Sequence, residues 1–401
     1  MNDGKFSWLE PQLESIFPKL IAWRRQIHQF PELGFAEVET SRFVSSILQQ
    51  IGAEVQTGIA KTGVLGLVKG KEPGPTIAIR ADMDALPIQE ETGVSYASQN
   101  PGVMHACGHD AHTAIALGTA AIMAMNANLW KGTVKLIFQP GEECPPGGAR
   151  EMIQGGVLKN PGVKAILGLH VFPGLPAGSV GLKAGAIMAA DDNFKLIIKG
   201  TSGHGAIPHK AVDAVVIAAQ VVLALQTIAS RRVDPLEAIV VSIGTIQGGI
   251  RRNVIAEEVE LVGTVRTLNP EIRKTIPDMF HQIVGGITSA AGADYSLEYV
   301  RGYPATINSQ FLVNLLQPFL ERELGKEKTV LLAKPSMGGE DFAYYAEEVP
   351  GLFLMLGAGK EQSPNYPWHH PRFNIDESCL QQGVRIMVIM SMELLQHFTC
   401  A

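Results

Sequence analysis

The densest group of reactive side chains lies in residues 104–112, where one cysteine, one aspartate and three histidines fall within nine positions. Cys107 and His109 are two residues apart, so both side chains can point the same way from an extended or turning segment. A thiolate and an imidazole together suit zinc and other first-row transition metals. The alternative is an ordinary helix start, with Asp110 as N-cap and His112 in the first turn. The spacing favours metal binding for Cys107 and His109 and leaves His105 and His112 open.

Two adjacent glutamates, Glu142 and Glu143, follow an apolar run at 133–138 and the dipeptide Pro140-Gly141. On a solvated helix such a pair is common and indicates no chemistry. At a strand end successive side chains point to different sides, so one carboxylate can bind metal while the other faces a water. Metal-assisted hydrolysis needs a Lewis acid and a base. Together with residues 104–112, the pair therefore indicates a metallohydrolase.

Further imidazoles and carboxylates stand beside other apolar runs. His170 ends the run at 165–169 and is either structural or a ligand; its place at the predicted sheet edge favours the ligand. His369 and His370 are adjacent in a downstream loop, and only one need bind metal. Asp82 and Asp84 face one side of an extended segment, either as ligands or as carboxylates that fix the tautomer of a ligating histidine.

A glycine-rich loop at 200–209 contains His204. The spacing of its glycines differs from that of a phosphate-binding loop, and no Lys-Ser/Thr pair follows. His204 is either a turn residue or an electrophile that polarises a carbonyl group.

These residues must be positioned by elements that the apolar pattern predicts. A helix is predicted at 9–29, ended by Pro31, and strands at 63–68, 76–80, 133–138 and 165–169 alternate with helical stretches such as 112–125. This alternation predicts an α/β fold with a mainly parallel sheet. Ligand sites in such sheets lie beyond the carboxyl ends of the strands, where the polar residues above occur.

Between about residues 191 and 303 the pattern changes. It reads strand 194–199, helix 212–231, strands 238–245 and 259–267, helix 270–292 and strand 296–301. This β-α-β-β-α-β order is typical of a ferredoxin-like unit. The α/β pattern resumes at 311–324 and 353–357. We therefore predict a catalytic metal-binding domain at 1–190 and 304–401, interrupted by an inserted ferredoxin-like domain at 191–303.

Composition excludes some classes of protein. A length of 401 residues favours two domains or one domain with an insertion, and the net charge of −6 supplies no basic field for nucleic acid. The apolar stretch at 211–229 is interrupted by Asp213 and Gln220, so no membrane segment is expected. Residues 1–11 lack a secretory pattern, so a cytoplasmic location is expected. Four widely spaced cysteines argue against a disulfide framework.

Together these motifs resemble the M20 metallopeptidases, in particular the amidohydrolase branch with aminoacylase-like, hippurate hydrolase and auxin-conjugate hydrolase enzymes. The resemblance runs nearly end to end. It rests on several motifs in the right order: Arg24-Arg25 with His28 and Pro31-Glu32, then residues 80–87, 104–112, 139–143, 168–170, 203–209, 252–254, 339–342 and 369–373.

The resemblance implies a site for two divalent metal ions, which would be manganese, zinc, cobalt or nickel. The implied ligands are a bridging Cys107 together with His109, Glu143, His170 and His369.

The resemblance also implies roles for residues that bind no metal. Glu142 would be the general base and His204 would stabilise the oxyanion, while Asp82 and Asp84 would support the site. Asn253 would hold substrate and Glu340 would line the pocket. The inserted domain would form a lid and a dimer surface, so a homodimer is expected.

The implied reaction is hydrolysis of the amide bond of N-acyl amino acids, such as N-acetyl or N-benzoyl derivatives, to a carboxylic acid and a free amino acid. The alternatives are a dipeptidase or carboxypeptidase of the same fold, a cysteine-dependent amidase with Cys107 as nucleophile, and a non-catalytic binding scaffold. The sequence leaves open the acyl group, the amino acid, the native metal, the choice between His369 and His370, and whether His204 acts across a dimer.

Overall fold

The computed structural model describes residues 5–361 and 364–400. The chain forms two compact units. The first contains the described residues up to Ile187, Ile307–Lys334 and the described residues from Asp341 onward; the second contains Met188–Thr306 and Pro335–Glu340.

The first stretch of chain alternates helices and strands. Its elements are α1 (Leu9–Gln29), α2 (Val38–Gln50), β1 (Glu54–Ile59), β2 (Gly63–Lys69), β3 (Thr76–Asp82), α3 (His109–Met125), β4 (Thr133–Gln139), α4 (Ala149–Gln154), β5 (Val163–Pro176), β6 (Val180–Leu182) and β7 (Gly185–Met188). The prediction for α1 is confirmed at both ends. Helix α2 was not predicted, although Val44, Ile47 and Leu48 are buried on one of its faces at helical spacing.

The second unit has its own sheet and core. Its elements are β8 (Ala190–Lys199), β9 (Gly203–His204), α5 (Ala214–Thr227), β10 (Ile239–Gly248), β11 (Val254–Ile255), β12 (Glu258–Thr267), α6 (Pro270–Ala290) and β13 (Asp294–Arg301). The order β10-β12-β8-β13 is antiparallel throughout. This is the predicted β-α-β-β-α-β arrangement. Whether this unit acts as a lid and in dimerisation stays a prediction.

Helix α5 continues through a π-helical turn at Ile228–Arg232. By length and composition alone, Ala214–Arg232 would suffice to cross a membrane. In the second unit, however, Ile217, Val221 and Leu225 are buried in the core that also contains strand residues of β8 and β12. The helix therefore packs as an element of a folded unit.

The last part of the chain completes the first unit. Its elements are β14 (Thr306–Asn308), α7 (Gln310–Leu324), β15 (Thr329–Leu331), α8 (Phe342–Glu348), β16 (Gly351–Gly359) and α9 (Ser378–Cys400). In the described ranges, eight strands form one sheet in the order β1-β2-β4-β3-β5-β16-β6-β15. The central pairs β4–β3, β3–β5 and β5–β16 are parallel, as is β6–β15 at one edge. The predicted α/β fold class with a mainly parallel sheet is confirmed.

The parallel strands bring the polar residues that follow the predicted strands to the same edge of the sheet. Strands β3 and β4 end at Asp82 and Gln139, which are paired in register. The predicted strand end at Leu169, directly before His170, is wrong, because β5 continues through His170 to Pro176. Its pairing with β3 nevertheless stops at Gly168, so His170 lies two residues past that point, level with the end of β3.

Candidate metal centre

The Cys107 thiol and the His170 imidazole face each other in the interior of the first unit. The Sγ atom of Cys107 lies 3.3 Å from Nε2 of His170. The Nδ1 atom of His170 donates to the carbonyl oxygen of Val171 at 2.9 Å, and the indole Nε1 of Trp368 donates to the same oxygen at 2.8 Å. These bonds fix the imidazole tautomer, so the lone pair on Nε2 points toward the thiol.

Gly108 allows His109 to turn in beside Cys107. Its φ is +93°, and a Cβ there would lie 2.3 Å from a methyl carbon of Val171. Helix α3 then begins at His109, whose Nδ1 lies 3.1 Å from Oδ1 of Asp84. Among the described residues, Nε2 of His109 is buried without a hydrogen-bond partner. A buried nitrogen of this kind fits a metal ligand, since leaving it unpaired is costly.

Glu143 and His369 meet on the other side of the thiol. The backbone N–H of Glu143 donates to Oδ2 of Asp84 at 2.9 Å, and Oε1 of Glu143 lies 3.0 Å from Nε2 of His369. This oxygen is buried and makes no hydrogen bond in the described chain, so the short approach lies outside hydrogen-bond geometry. The backbone of His369 has a φ of +64° and donates to the carbonyl of Ala106 at 2.9 Å.

His370 lies in a different environment from His369. Its ring stacks on Tyr366 with centroids 4.4 Å apart and planes 19° from parallel, and its Nδ1 accepts from the backbone N–H of Arg372 at 3.0 Å. The geometry therefore favours His369 over His370 as a metal ligand.

The donor atoms form overlapping sets of three, each set lying within 4.8 Å. One set contains Cys107, His109 and His170, and another contains Cys107, Glu143 and His369. Both sets include the thiol, as a bridging ligand requires. Sulfur, imidazole and carboxylate donors suit divalent transition metals, so the residues present fit the two metal ions expected.

His112 also meets the distance criterion, in a set with Asp82 and His109. Both of its nitrogens, however, are engaged within the chain: Nδ1 lies 2.6 Å from Oδ1 of Asp82, and Nε2 accepts from the backbone N–H of Val171 at 2.9 Å. Burial lowers the pKa of His112, which agrees with a neutral ring. We conclude that His112 holds the backbone of β5 at Val171, the residue next to His170.

Arg80 supports this arrangement from inside the sheet. Its guanidinium donates to Asp82 and to Asp341, each at 2.6 Å, and to the Gln139 side-chain oxygen at 3.0 Å. Asp341 also accepts from the Gln139 amide and from the backbone N–H of Ala149. No role was predicted for Arg80 or Asp341. A charged residue inside the otherwise apolar strand β3 was the signal for a buried ion pair.

The start of α3 differs from the predicted alternative in which Asp110 caps the helix. Asp110 is not the N-cap, because α3 begins at His109 and Gly108 occupies the N-cap position. The Oδ2 atom of Asp110 instead accepts from Nε of Arg24 at 3.0 Å and lies 2.8 Å from Nδ1 of His28. His105 lies nearby, with its ring centroid 6.3 Å from that of His28. Burial lowers the pKa of His105 to about 4, so the ring is neutral, and it belongs to none of the donor sets in the described chain.

The protonation of Cys107 and His109 follows from their burial and charged neighbours. Burial and the charges of Glu143 and Glu142 raise the pKa of the Cys107 thiol well above its usual range. Burial by itself lowers the pKa of His109, but the negative charges of Asp82 and Asp84 outweigh it and raise the pKa to about 10. Without metal, both groups therefore carry a proton at neutral pH.

The remaining candidates lie in the second unit. His204 and Val254 are paired across β9 and β11, and the N–H of Gly205 donates to the carbonyl of Asn253 at 2.9 Å. The structure thus brings His204 and Asn253 together, and both are exposed. Glu340 is 1% exposed, and its backbone carbonyl accepts from the Thr306 hydroxyl.

A mainly parallel α/β sheet with thiol, imidazole and carboxylate donors at its strand ends is the arrangement of a metallohydrolase. Residues 78–393 match Peptidase family M20/M25/M40, and the chain belongs to this family.

Individual relatives agree with this assignment. The N-acyl-L-amino acid amidohydrolase of Geobacillus stearothermophilus is 47% identical over 296 residues, covering 74% of this chain and 80% of that protein. The thermostable carboxypeptidase 1 of Saccharolobus solfataricus is 36% identical over 389 residues, covering 96% and 98%. The crystal structure of the Bacillus subtilis YXEP protein, a dinuclear metal binding peptidase from the M20 family, has a TM-score of 0.84 at 38% identity, covering 96% and 99%.

Replacing His369 and His370 separately tests which of them binds metal. His369→Ala should lower the metal content, because it removes a nitrogen beside the Glu143 carboxylate. His370→Ala is the matched control and should keep full occupancy, since the His370 ring stacks on Tyr366 and its Nδ1 accepts from the backbone N–H of Arg372. Metal content per subunit after dialysis is measured by mass spectrometry, and equal occupancy in the two variants would refute the distinction.

Metal binding should release protons, because Cys107 and His109 are protonated without metal and bind metal only when deprotonated. We expect about two protons per site at pH 7, and a metal affinity that rises steeply with pH up to the pKa of about 10 for His109 and less steeply above it, because the Cys107 thiol is still protonated there. Calorimetric titration in two buffers with different ionisation enthalpies measures the number released. A pH-independent affinity with no proton release contradicts the assigned protonation.

Proposed function

We propose that the protein hydrolyses the amide bond of N-acyl amino acids and releases a carboxylic acid and a free amino acid. One observation carries the proposal. Glu142 is 6% exposed, and its carboxylate lies within 4.8 Å of donor atoms of His109 and Glu143, while neither of the two sets that share Cys107 needs it. A carboxylate beside metal ligands can act as a base toward water.

The proposed metal ligands are Cys107, His109, Glu143, His170 and His369. When bound, two divalent cations would supply Lewis acidity, which makes a water more acidic and polarises the amide carbonyl. Support comes from Nε2 of His109, which has no hydrogen-bond partner within residues 5–361 and 364–400, and from the solved relative, a dinuclear metal binding peptidase. Manganese, zinc, cobalt and nickel all suit these donors, and the native metal stays open among them.

Within the chain, Glu142 takes a proton from the attacking water and later transfers it to the leaving amine nitrogen. His204 supplies a hydrogen bond to the oxygen that becomes negatively charged. Its Nδ1 accepts from the backbone N–H of Ala206 at 3.1 Å, so in the neutral ring the proton is on Nε2, which is then the donor. Asn253, beside His204, would contact substrate, and Glu340 would line the substrate pocket.

Two other activities are alternatives to the proposed one. Cleavage of a peptide bond next to a free carboxylate requires the same residues, and the carboxypeptidase relative makes it the second candidate. A cysteine-dependent amidase agrees less well with the geometry. Burial and the carboxylates around Cys107 raise the pKa of its thiol, whereas a nucleophilic cysteine needs a lowered pKa. Among the described residues, His170 is also oriented by the Val171 carbonyl and by no carboxylate.

We also propose that two copies of the chain associate through the second unit. Strand β10 lies at one edge of its sheet and exposes Ile246, which is 59% accessible. Helix α5 exposes Val215, Val216 and Leu223 at 49%, 53% and 73%. An open strand edge beside an apolar helix face is complementary to a second copy related by a twofold axis. A cytoplasmic location stays a prediction from the sequence.

Association is tested by light scattering after size-exclusion chromatography. The expected mass is twice the 43.1 kDa of one chain. Leu223→Glu should shift the protein toward the monomer, because it places a charge on the apolar face. Met125→Glu is a matched control, since Met125 is a similarly exposed residue of the first unit at 60%. A monomeric starting protein, or equal effects of the two changes, would refute the proposed surface.

The catalytic assignment is tested with Glu142→Gln and a panel of N-acetyl, N-benzoyl and indole-acetyl amino acids. The metal-loaded protein should release free amino acid and lose this activity with a chelator. Loss of the base should lower kcat by about a hundred- to ten-thousand-fold while the metal content stays unchanged.

Glu143→Gln is the control for the neighbouring carboxylate and should lower the metal content as well as the activity. Retained turnover in Glu142→Gln would exclude it as the base. Turnover that survives complete chelation would exclude the metal-dependent reaction.

A further inference from the structure

The connection between α1 and α2, residues 30–37, packs closely against the turn that carries Glu142. A Cβ on Gly34 would lie 2.5 Å from the Sγ of Cys144 and 3.0 Å from the Cα of Gly141. Only a residue without a side chain fits at this point. The backbone of the connection therefore reaches the turn directly.

A second contact closes the other side of the turn. Gly141 has a φ of +61°, and a Cβ there would lie 2.6 Å from the ring of Phe35. Phe35 itself has a φ of +63°, a conformation that is rare for a bulky residue and that persists only where its surroundings impose it. The Lys61 ammonium lies 4.7 Å from the centroid of the Phe35 ring.

Glu37 makes the polar link between the two segments. Its side chain is fully buried, its Oε1 accepts from the backbone N–H of Gly141 at 2.8 Å, and its Oε2 accepts from the Thr62 hydroxyl at 2.6 Å. On the far side of Glu142, Asp84 accepts from the N–H of Glu143 at 2.9 Å. Buried carboxylates thus hold the backbone N–H groups immediately before and after Glu142.

We propose that Glu37 is a positioning residue for Glu142. The Glu37 carboxylate accepts a hydrogen bond from the backbone N–H of Gly141 and so fixes the backbone from which the Glu142 side chain extends. The inference rests on the proposed role of Glu142 as general base. Glu37 touches none of the proposed metal ligands through the bonds described, so its contribution should appear in the rate of the chemical step and leave metal binding intact.

The expected size follows from the sensitivity of proton transfer to geometry. A misplacement of about 1 Å can lower a rate by about a hundredfold. Without the acceptor, the Gly141 N–H loses its partner and the turn gains freedom. We expect Glu37→Ala to lower kcat by about ten- to a hundredfold, with KM within about threefold of the starting value and full metal content.

The experiment compares three replacements of Glu37 in the metal-loaded full-length protein. Glu37→Gln keeps an oxygen that accepts from Gly141 and should restore kcat to within about fivefold. Glu37→Leu keeps the volume without an acceptor and should behave as Glu37→Ala does, which provides a second folded variant. Thr62→Val is the matched control, because it removes only the other hydrogen bond of Glu37 and should change kcat by less than about threefold.

A readout independent of activity is hydrogen–deuterium exchange of peptides covering residues 139–144. Exchange should accelerate in Glu37→Ala and Glu37→Leu but not in Thr62→Val. Unchanged kcat in the alanine and leucine variants, equal losses in Glu37→Gln and Glu37→Ala, or loss of metal from any of them would overturn the positioning role. If Glu142→Gln is inactive while Glu37→Ala is fully active, only this inference fails. Retained turnover in Glu142→Gln shows instead that the proposed function fails.

Discussion

The geometry of the site depends on the buried ion pairs that the guanidinium of Arg80 makes with Asp82 and Asp341. The guanidinium lies between Asp82 and Asp341 at 2.6 Å from each, with the Arg80 side chain 1% exposed. From Asp82 the contacts continue to His112, and from His112 to the backbone beside His170. Removing one partner of such a buried ion pair typically lowers the free energy of unfolding by about 3–5 kcal/mol, because the other charge is left uncompensated. The position of His170, a proposed metal ligand on β5, is thus tied to the charge of Arg80 on β3.

A second constraint is the excess of negative charge around the thiol. Asp82, Asp84, Glu142 and Glu143 all contribute to the shifted pKa values of Cys107 or His109. Burying carboxylates without compensation is costly, and protonated His109 compensates only part of their charge. Divalent cations in place of those protons would balance the charge. Burial and the same carboxylates that would attract divalent cations raise the pKa of the Cys107 thiol and so oppose its ionisation to a nucleophilic thiolate.

Buried carboxylates also act on the backbone. Glu37 and Asp84 each accept an N–H from the turn after β4, while Asp341 accepts one from the start of α4. Turns at the ends of parallel strands have no ladder partners, so their N–H groups need other acceptors. Arg24 and Asp110 form a similar buried pair at the start of α3. The segments that carry the proposed base and ligands are thus held by side chains distant in sequence.

Local patterns in the sequence predicted most of the helices and strands that surround the site, although not α2, and they singled out candidate donor residues. Helical spacing predicted α1, alternation of strands and helices predicted the sheet, and the spacing of Cys107 and His109 singled out a metal site. Pairings between distant segments were beyond these patterns, because a residue type does not state its partner. Only the tertiary structure shows that both nitrogens of His112 have partners within the chain, that His369 and His370 lie in different environments, and that Glu37 contacts Gly141. Hydrophobic periodicity acts over a few residues, whereas hydrogen bonds between buried polar groups are decided by which strand ends and loops the fold brings together.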